Sequence, residues 1–390
     1  MAQDTIYDLI EKEKGCFMNF FDVFSSNTYA SSGNQHVFEA NPEAVSTGRV
    51  FYKIAVPGQF GYSLLFSNIL DSTYADGTVS HKNLICDSWQ ILDAKIARCS
   101  GEIICGDFAD RATAGKINSS ELAFTQLTFG GNASKTVAPG EFFCSDPVLL
   151  DFSADDYLCL EMTFSGQILP YHEESLLPIF IKGKEGWTYD RKMPLPGMIG
   201  CDRKVAAKVG YIGDSITQGI GTPRNSYLHW NALLSRKIGG QYAYWNLGIG
   251  YGRADDMASE GAWAYKAKQN DVVIMCYGVN DILRGFSAEQ IKENLRSIVS
   301  FLKKAGKKVI LQTVPPFNYN EEKIAIWQDV NAYIREVLSQ SVDHVFDVAP
   351  ILAESDNMPQ NARYGGHPDS EGCAAWAEAF YGDIKRFEIL

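Results

Sequence analysis

The second half of the chain alternates between short apolar runs and longer helical patterns, and this alternation narrows the choice of folds more than any other feature. The runs rich in branched apolar residues are KVGYIG (208–213), AYWNLGI (243–249), DVVIMCYG (271–278), KKVILQTVPP (307–316) and HVFDVAP (344–350). The helical patterns are YLHWNALLSRKIG (227–239), SAEQIKENLRSIVSFLKKAG (287–306), EEKIAIWQDVNAYIREVLSQS (321–341) and DSEGCAAWAEAFYGDIKRF (369–387). Repeated strand-then-helix order predicts a parallel sheet with helices on both faces.

The first half has a different pattern, without long helical segments. Its short runs rich in β-branched and aromatic residues are RVFYKIAV (49–56), YSLLFSNIL (62–70), WQILDAKIARC (89–99), LAFTQLTFGG (122–131) and DYLCLEMTFSG (156–166). Turn-forming clusters separate these runs, which predicts a β-sandwich, with a jelly roll as the expected form. A short helix is expected at 5–14. We predict a β domain at 1–190, a Pro- and Gly-containing linker at 191–204 and an α/β domain at 205–390.

Composition and charge exclude several classes of function. The net charge of −12 argues against nucleic acid and anionic membranes as partners, because both need clustered Lys and Arg. No apolar stretch is long enough to span a bilayer, and the N-terminus lacks the order of a secretory signal. We therefore expect a cytoplasmic protein, or a secreted one if a leader has been removed. The nine cysteines are scattered, without a CxxC pair, which favours reduced thiols and predicts no metal site.

Four residues suited to acyl transfer follow strands or precede the last helix. Ser215, Gly248 and Asn280 come after the first three predicted strands, and His367 precedes the closing helix. Because parallel strands end at one edge of a sheet, the four residues are expected to meet there. A serine at a strand-to-helix turn can serve as a nucleophile, histidine as its base, and a glycine N–H and an asparagine amide as donors to an oxyanion. Each also has a plainer interpretation, as a helix cap, a turn glycine or a surface histidine.

Four sequence blocks resemble, in the same order, those of the SGNH (GDSL-type) hydrolase superfamily. The blocks are GDSITQG (213–219), NLGIGYG (246–252), YGVND (277–281) and HPDSEG (367–372). The resemblance implies a flavodoxin-like, three-layer hydrolase domain with Ser215 as nucleophile and His367 as general base. It also implies an oxyanion hole formed by the N–H groups of Ser215 and Gly248 with the side chain of Asn280, and no metal or cofactor. In the first half, the segments YSLLFSNILDST (62–73) and LTFGGNASKTVAPGEFFCSDPVLLDFSADDYLCLEMTF (127–164) resemble the β-rich, jelly-roll-like N-terminal domain of some bacterial GDSL esterases and carbohydrate acetylesterases.

One position departs from the family pattern. The family usually has an aspartate three residues before the catalytic histidine, and Tyr364 stands there in this chain. Three explanations are open: a backbone carbonyl orients His367 in a Ser–His dyad, another acid substitutes, or the enzyme is impaired. Asp347, Asp356 and Asp369 are the nearby acids, and the dyad is the preferred explanation because a carbonyl can fix the tautomer of the imidazole.

The sequence therefore predicts a serine esterase for short acyl esters, with acetyl esters of carbohydrates as the preferred substrates. The alternatives are a lipase or acylhydrolase for other small esters, and a catalytically impaired carbohydrate-binding protein. The expected partner is a small-molecule or carbohydrate ester, without nucleic acid or membrane, and homo-oligomerisation is left open.

Overall fold

The chain folds into two compact units, which are described separately below. The computed structural model describes residues 20–71, 84–101, 103–104, 116–117, 122–172 and 174–390. The first unit comprises the described residues up to Lys204, and the second begins at Val205 and ends at Leu390. The helix predicted at 5–14 lies outside the described residues.

The first unit is built from antiparallel strands. Its described strands are β1 (Ser25–Ser26), β2 (His36–Glu39), β3 (Ser46–Lys53), β4 (Gly58–Ser67), β5 (Trp89–Cys99), β6 (Ile103–Ile104), β7 (Lys116–Ile117), β8 (Thr125–Gln126), β9 (Lys135–Val137), β10 (Phe142–Cys144), β11 (Val148–Phe152), β12 (Tyr157–Ser165), β13 (Ile168–Tyr171), β14 (Ile179–Gly183), β15 (Gly186–Tyr189) and β16 (Met198–Cys201). One sheet has the order β1-β16-β4-β10, with β11 also on β4, and the larger sheet has the order β15-β14-β3-β12-β5-β8, with β9 also on β5. The pairs β2–β13 and β6–β7 stand apart from these sheets.

Aromatic side chains fill the space between the two larger sheets. Phe66 on β4 stacks on Phe143 of β10 with ring centroids 4.9 Å apart, and Trp89 on β5 of the other sheet lies 6.4 Å from the Phe143 ring. All three side chains are buried. Large aromatic rings remove much apolar surface from water, so this cluster joins the two sheets into a sandwich. The prediction of an all-β sandwich in the first half is confirmed.

The predicted linker at 191–204 is instead part of the first unit. Residues Met198–Cys201 form β16, which pairs with β4 from Met198↔Leu65 to Cys201↔Tyr62. All four residues of β16 are buried. The Pro and Gly content of this segment suggested a loop, but apolar residues between those signals can still complete a sheet.

The second unit is a five-stranded parallel sheet. Its strands are β17 (Lys208–Gly213), β18 (Ala243–Asn246), β19 (Val272–Cys276), β20 (Lys308–Gln312) and β21 (His344–Phe346), in the order β18-β17-β19-β20-β21. The chain leaves β17 to form β18 on one side and then crosses to form β19 on the other. Ligands of open α/β sheets bind outside the carboxyl ends of the strands where the order reverses in this way.

Helices cover both faces of this sheet. They are α1 (Ser215–Gln218), α2 (Trp230–Ile238), α3 (Ala254–Ala258), α4 (Ala262–Ala267), α5 (Val279–Leu283), α6 (Ala288–Lys304), α7 (Glu321–Glu336), α8 (Ala349–Leu352) and α9 (Ser370–Phe387). On one face, Trp230 of α2 stacks on Trp376 of α9 with centroids 4.5 Å apart and meets Tyr211 of β17 edge-on. On the other face, Gly210 leaves room for Asn270, which follows α4. The predicted three-layer α/β fold is confirmed.

Several short elements of the second unit were not predicted. They are the helices α3, α4, α5 and α8 and a hairpin of β22 (Ala353–Ser355) and β23 (Met358–Ala362). The five predicted strands and the four predicted helices are all present, with ends that differ by a few residues. Within the described ranges, no helix is both long enough and apolar enough to cross a membrane.

Candidate active site

Ser215 lies at the turn between β17 and α1, where the strand ends at the edge of the sheet. Asp214 caps the short helix, because its Oδ1 accepts a hydrogen bond of 2.9 Å from the N–H of Ile216. The cap fixes the backbone that precedes the serine, and only 7% of the surface of Ser215 is exposed. The sequence analysis left open whether Ser215 is a helix cap or a nucleophile at a turn. Asp214 is the cap, and Ser215 is the first residue of α1.

The hydroxyl of Ser215 meets the imidazole of His367. The distance between Oγ of Ser215 and Nε2 of His367 is 2.8 Å, although 152 positions separate the two residues in the chain. This is hydrogen-bond distance, the separation needed for proton transfer from a hydroxyl to a base. The imidazole can accept that proton only if Nε2 is unprotonated, so the tautomer with the proton on Nδ1 is the one that fits.

His367 is half-buried in an uncharged environment. Burial lowers the pKa of His367 below its ordinary value of 6.5, and no charged side chain contributes to the change. In the part of the chain that the structure describes, Nδ1 of His367 has no hydrogen-bond partner. The carbonyl expected to orient the imidazole is therefore not found there, and neither is a carboxylate.

The three acids considered as substitutes are occupied elsewhere or exposed. Asp369 caps α9, since its Oδ1 accepts from the N–H of Gly372 at 2.9 Å. Asp347 accepts from Thr313 and forms an ion pair with Arg335. Asp356 is exposed in the turn of the β22–β23 hairpin.

Gly248 does not present its N–H to the site. That N–H donates to Oδ1 of Asn246 at 2.9 Å, so the donor is already used within the protein. A Cβ at this position would clash with the backbone nitrogen of Gln218 in α1. The glycine is needed because the loop after β18 packs directly on α1. The oxyanion role predicted for Gly248 does not fit this arrangement, and a close backbone contact explains the residue.

Asn280 and the backbone of Ser215 retain donors for an oxyanion. Nδ2 of Asn280 donates one hydrogen bond, of 3.1 Å, to the carbonyl of Gly252, and an amide nitrogen has a second hydrogen to give. The N–H of Ser215 donates no hydrogen bond among the residues described. Gly213 pairs with Cys276 at the ends of β17 and β19, so Ser215 and Asn280 follow neighbouring strands at the same edge of the sheet.

Two buried carboxyl groups lie behind these residues, and the sequence analysis gave neither a role at the site. Burial, with a smaller contribution from the nearby charge of Asp281, raises the pKa of Asp214 to about 7. Burial likewise raises the pKa of Asp281 to about 6, although its carboxylate accepts from the N–H groups of Ala254 and Asp255. Asp281 thus ties the start of α3 to α5, next to Asn280. In the sequence, the only signal for this hydrogen bonding by Asp281 was its position directly after Asn280 in YGVND.

Phe317 is the other residue of the site that the sequence analysis missed. Its ring meets the imidazole of His367 edge-on, with centroids 5.5 Å apart and planes at 80°. Phe317 belongs to the loop after β20, in the segment VPPFNYN, which carries no known motif. Its position beside His367 depends on the packing of two loops that are distant in the chain.

Comparison with known proteins identifies the family of the second unit. Residues 211–375 match the GDSL-like lipase/acylhydrolase family. No curated protein matches the chain significantly.

Solved structures with a similar second unit come from several bacteria. They include a member of the lipolytic G-D-S-L family from Veillonella parvula (18% identity, 46% of this chain and 98% of the other, TM-score 0.38). They also include the esterase EstA from Pseudoalteromonas (19% identity, 46% and 98%, TM-score 0.38) and a variant of an acetyl-xylooligosaccharide esterase from Geobacillus (19% identity, 47% and 95%, TM-score 0.35).

The family match covers the residues that follow β17 and β19 as well as the segment that carries His367, and it agrees with the four sequence blocks. The second unit is therefore a domain of the GDSL-like lipase/acylhydrolase family, and the chain is a carboxylic ester hydrolase.

Proposed function

We propose that this chain is a serine esterase that hydrolyses short acyl esters through an acyl-enzyme on Ser215. The observation that carries the proposal is the 2.8 Å contact between Oγ of Ser215 and Nε2 of His367. A hydroxyl at that distance from a neutral imidazole is the arrangement required of an activated serine nucleophile.

The proposed reaction begins with attack of Oγ of Ser215 on the ester carbonyl, while the hydroxyl proton passes to Nε2 of His367. The oxyanion of the tetrahedral intermediate accepts hydrogen bonds from the N–H of Ser215 and from Nδ2 of Asn280. The imidazolium then gives its proton to the leaving alkoxide, the ester C–O bond breaks, and an alcohol departs. Water attacks the acyl-serine with His367 again as base, and a carboxylic acid and the free serine hydroxyl are released.

Short acyl groups are the proposed substrates because Ser215 is almost completely buried. With so little of the residue exposed, a small acyl group such as acetyl needs the least room beside it. A carbohydrate alcohol is proposed from the resemblance of the first half of the chain to the N-terminal domains of carbohydrate acetylesterases. We therefore prefer an esterase for short acyl esters of carbohydrates to a lipase for long acyl chains.

The test compares wild type with Ser215→Ala on p-nitrophenyl esters of increasing chain length and on acetylated oligosaccharides. We expect kcat/KM to be highest for acetate, to fall with chain length, and to drop at least about 10³-fold in Ser215→Ala. Ser226→Ala is the matched control, because that hydroxyl donates to the carbonyl of Pro223 and accepts from the N–H of Leu228 in exposed hydrogen bonds and has no part in the proposed mechanism. Equal rates for wild type and Ser215→Ala would reject the serine mechanism and favour a carbohydrate-binding protein without catalysis.

A further inference from the structure

His367 is held by packing rather than by a hydrogen bond at Nδ1. The Phe317 ring contacts the imidazole edge-on at 5.5 Å and also lies against the backbone just before it. A Cβ on Gly366 would come within 2.9 Å of the Phe317 ring, so the ring covers the peptide that leads into His367. One aromatic side chain thus limits the position of both the imidazole and its backbone.

A second loop also lies close to the His367 backbone, at its carbonyl group. Gly221, in the loop after α1, has a φ of +104°, and a Cβ there would lie 2.7 Å from the carbonyl oxygen of His367 and 2.5 Å from that of Pro368. The Gly221 loop and the Phe317 loop therefore both pack closely on the backbone at His367. Only a glycine allows the first of these loops to approach so closely.

The Phe317 loop is itself anchored at both ends. At its start, the carbonyl of Val314 accepts from Nε1 of Trp327 at 2.8 Å. At its end, the N–H of Asn318 donates to the carbonyl of Gln360, and Oδ1 of Asn318 accepts from the N–H of Ala362 at 2.9 Å. Because α7 holds one end and the β23 strand the other, Phe317 has a fixed support from which to hold His367.

We propose that Phe317 is a positioning residue for His367, and that its edge-on ring takes over the orienting task that a carboxylate has in the usual triad. This inference rests on the proposed serine esterase function. The ring cannot accept a hydrogen bond at Nδ1, but it restricts rotation of the imidazole and keeps water from that side of it. Edge-to-face contacts of this kind are a preferred geometry of aromatic pairs.

The environment of His367 provides a second readout for this role. Burial alone lowers the pKa of His367. Tyr364 and Asp369, which are close to it in the sequence, and Asp214, at the serine turn, are the titratable side chains to consider, and none of them contributes to that lower pKa. If Phe317 provides part of that burial, a smaller side chain should let water reach the imidazolium and raise the pKa towards 6.5. A residue that merely stabilised the fold would not move the pH profile.

The experiment measures kcat, KM and the pH dependence of kcat/KM for Phe317→Leu and Phe317→Tyr on p-nitrophenyl acetate, with thermal unfolding of each variant. We expect Phe317→Leu to lose roughly tenfold or more in kcat with little change in KM, and its acid limb to move to higher pH. Phe317→Tyr keeps the ring and should stay close to wild type in both respects. Phe387→Leu is the matched control, because the Phe387 ring lies beside the imidazole of His344, with centroids 5.2 Å apart and planes at 40°, and His344 is outside the proposed mechanism.

An unchanged kcat and an unchanged acid limb in Phe317→Leu would overturn the inference. A lower kcat with an unmoved acid limb and a lower melting temperature would also overturn it, since the residue would then be only structural. If Phe317→Leu does not fold, Phe317→Met provides the same comparison with a side chain of closer volume. Ser215→Ala separates the two proposals: an active Ser215→Ala rejects the esterase mechanism, whereas an inactive one beside an unaffected Phe317→Leu rejects only the role of Phe317.

Discussion

The two sides of the Ser215–His367 contact are built by different means. On the serine side, hydrogen bonds fix the backbone: Asp214 caps α1, and Asp281 holds the start of α3 beside Asn280. On the histidine side, apolar and backbone contacts fix the residue, and no carboxylate of the described residues reaches Nδ1.

The difference has a chemical consequence. A carboxylate beside a catalytic histidine stabilises the imidazolium, and burial without one destabilises it. His367 is therefore expected to be a weaker base than a triad histidine, and to remain neutral at lower pH. Esters with good leaving groups and little steric demand suit such a base, which agrees with the proposed short-acyl substrates.

Among the variants that test this contrast between the serine side and the histidine side, Asn280→Ala, on the serine side, should lower activity most. Loss of one oxyanion donor costs about 10²–10³-fold in kcat, and KM should change little because the bond strengthens in the transition state. Steady-state kinetics on p-nitrophenyl acetate measure both constants. Asn361→Ala is the control, since its amide only bonds the exposed Glu354. An unchanged kcat in Asn280→Ala would remove Asn280 from the oxyanion hole.

The second prediction concerns the pH dependence of the free energy of unfolding, and it tests whether Asp214 is a buried acid with a raised pKa. Its pKa in the folded protein, about 7, lies above the ordinary 3.8, so the folded state binds this proton more tightly than the unfolded state. Below about pH 4, Asp214 is protonated in both states and does not lower the free energy of unfolding. As pH rises from 4 to 7 it destabilises the folded protein increasingly, and above pH 7 this destabilisation is complete.

Asp214→Asn removes this titration while keeping a side chain that can cap α1. As pH rises from 4 to 8, the free energy of unfolding of the variant should increase relative to that of wild type by roughly 2–4 kcal/mol. This range follows from about 1.4 kcal/mol for each unit by which the pKa of Asp214 is raised. Urea unfolding at several pH values measures the difference, with Asp356→Asn in the exposed hairpin turn as control. A difference that does not vary with pH would show that Asp214 is not a buried acid.

The smallest effect is expected on the histidine side, for Asp369→Asn. Asparagine caps helices as well as aspartate, and no carboxylate contributes to the pKa of His367, so kcat/KM should stay within about threefold of wild type. Asp347→Asn should behave in the same way. A loss of several hundredfold in either variant would identify that acid as the missing third member and would abolish the contrast between the two sides.

The parts of the fold that local patterns determine were predictable from the sequence. KVGYIG and WQILDAKIARC coincide with β17 and β5, because continuous or alternating apolar residues bounded by turn signals leave little choice. Ser287 and Gln290 form a capping box at the start of α6, which is also a local feature, since its hydrogen bonds connect residues three apart. The β16 strand was missed because its Pro and Gly neighbours outweighed four apolar residues.

Contacts between distant loops were not predictable in the same way. The sequence blocks pointed to Ser215 and His367, which the structure brings together. They did not indicate that the N–H of Gly248 donates its hydrogen bond to Asn246. Phe317 carries no local signal, because its role follows from the way the loop after β20 meets the segment before α9. A single sequence shows which residues carry the chemistry better than it shows what holds them in place.

The most direct test of a Ser–His pair without a carboxylate is an NMR titration of the His367 imidazole in the 390-residue chain. The signal can be assigned among the six histidines by comparison with His367→Gln. The account predicts a pKa below 6.5 and, in the neutral form, a proton on Nδ1 and none on Nε2. A pKa above 7 with a strongly downfield Nδ1 proton would contradict it, because that combination requires a carboxylate partner.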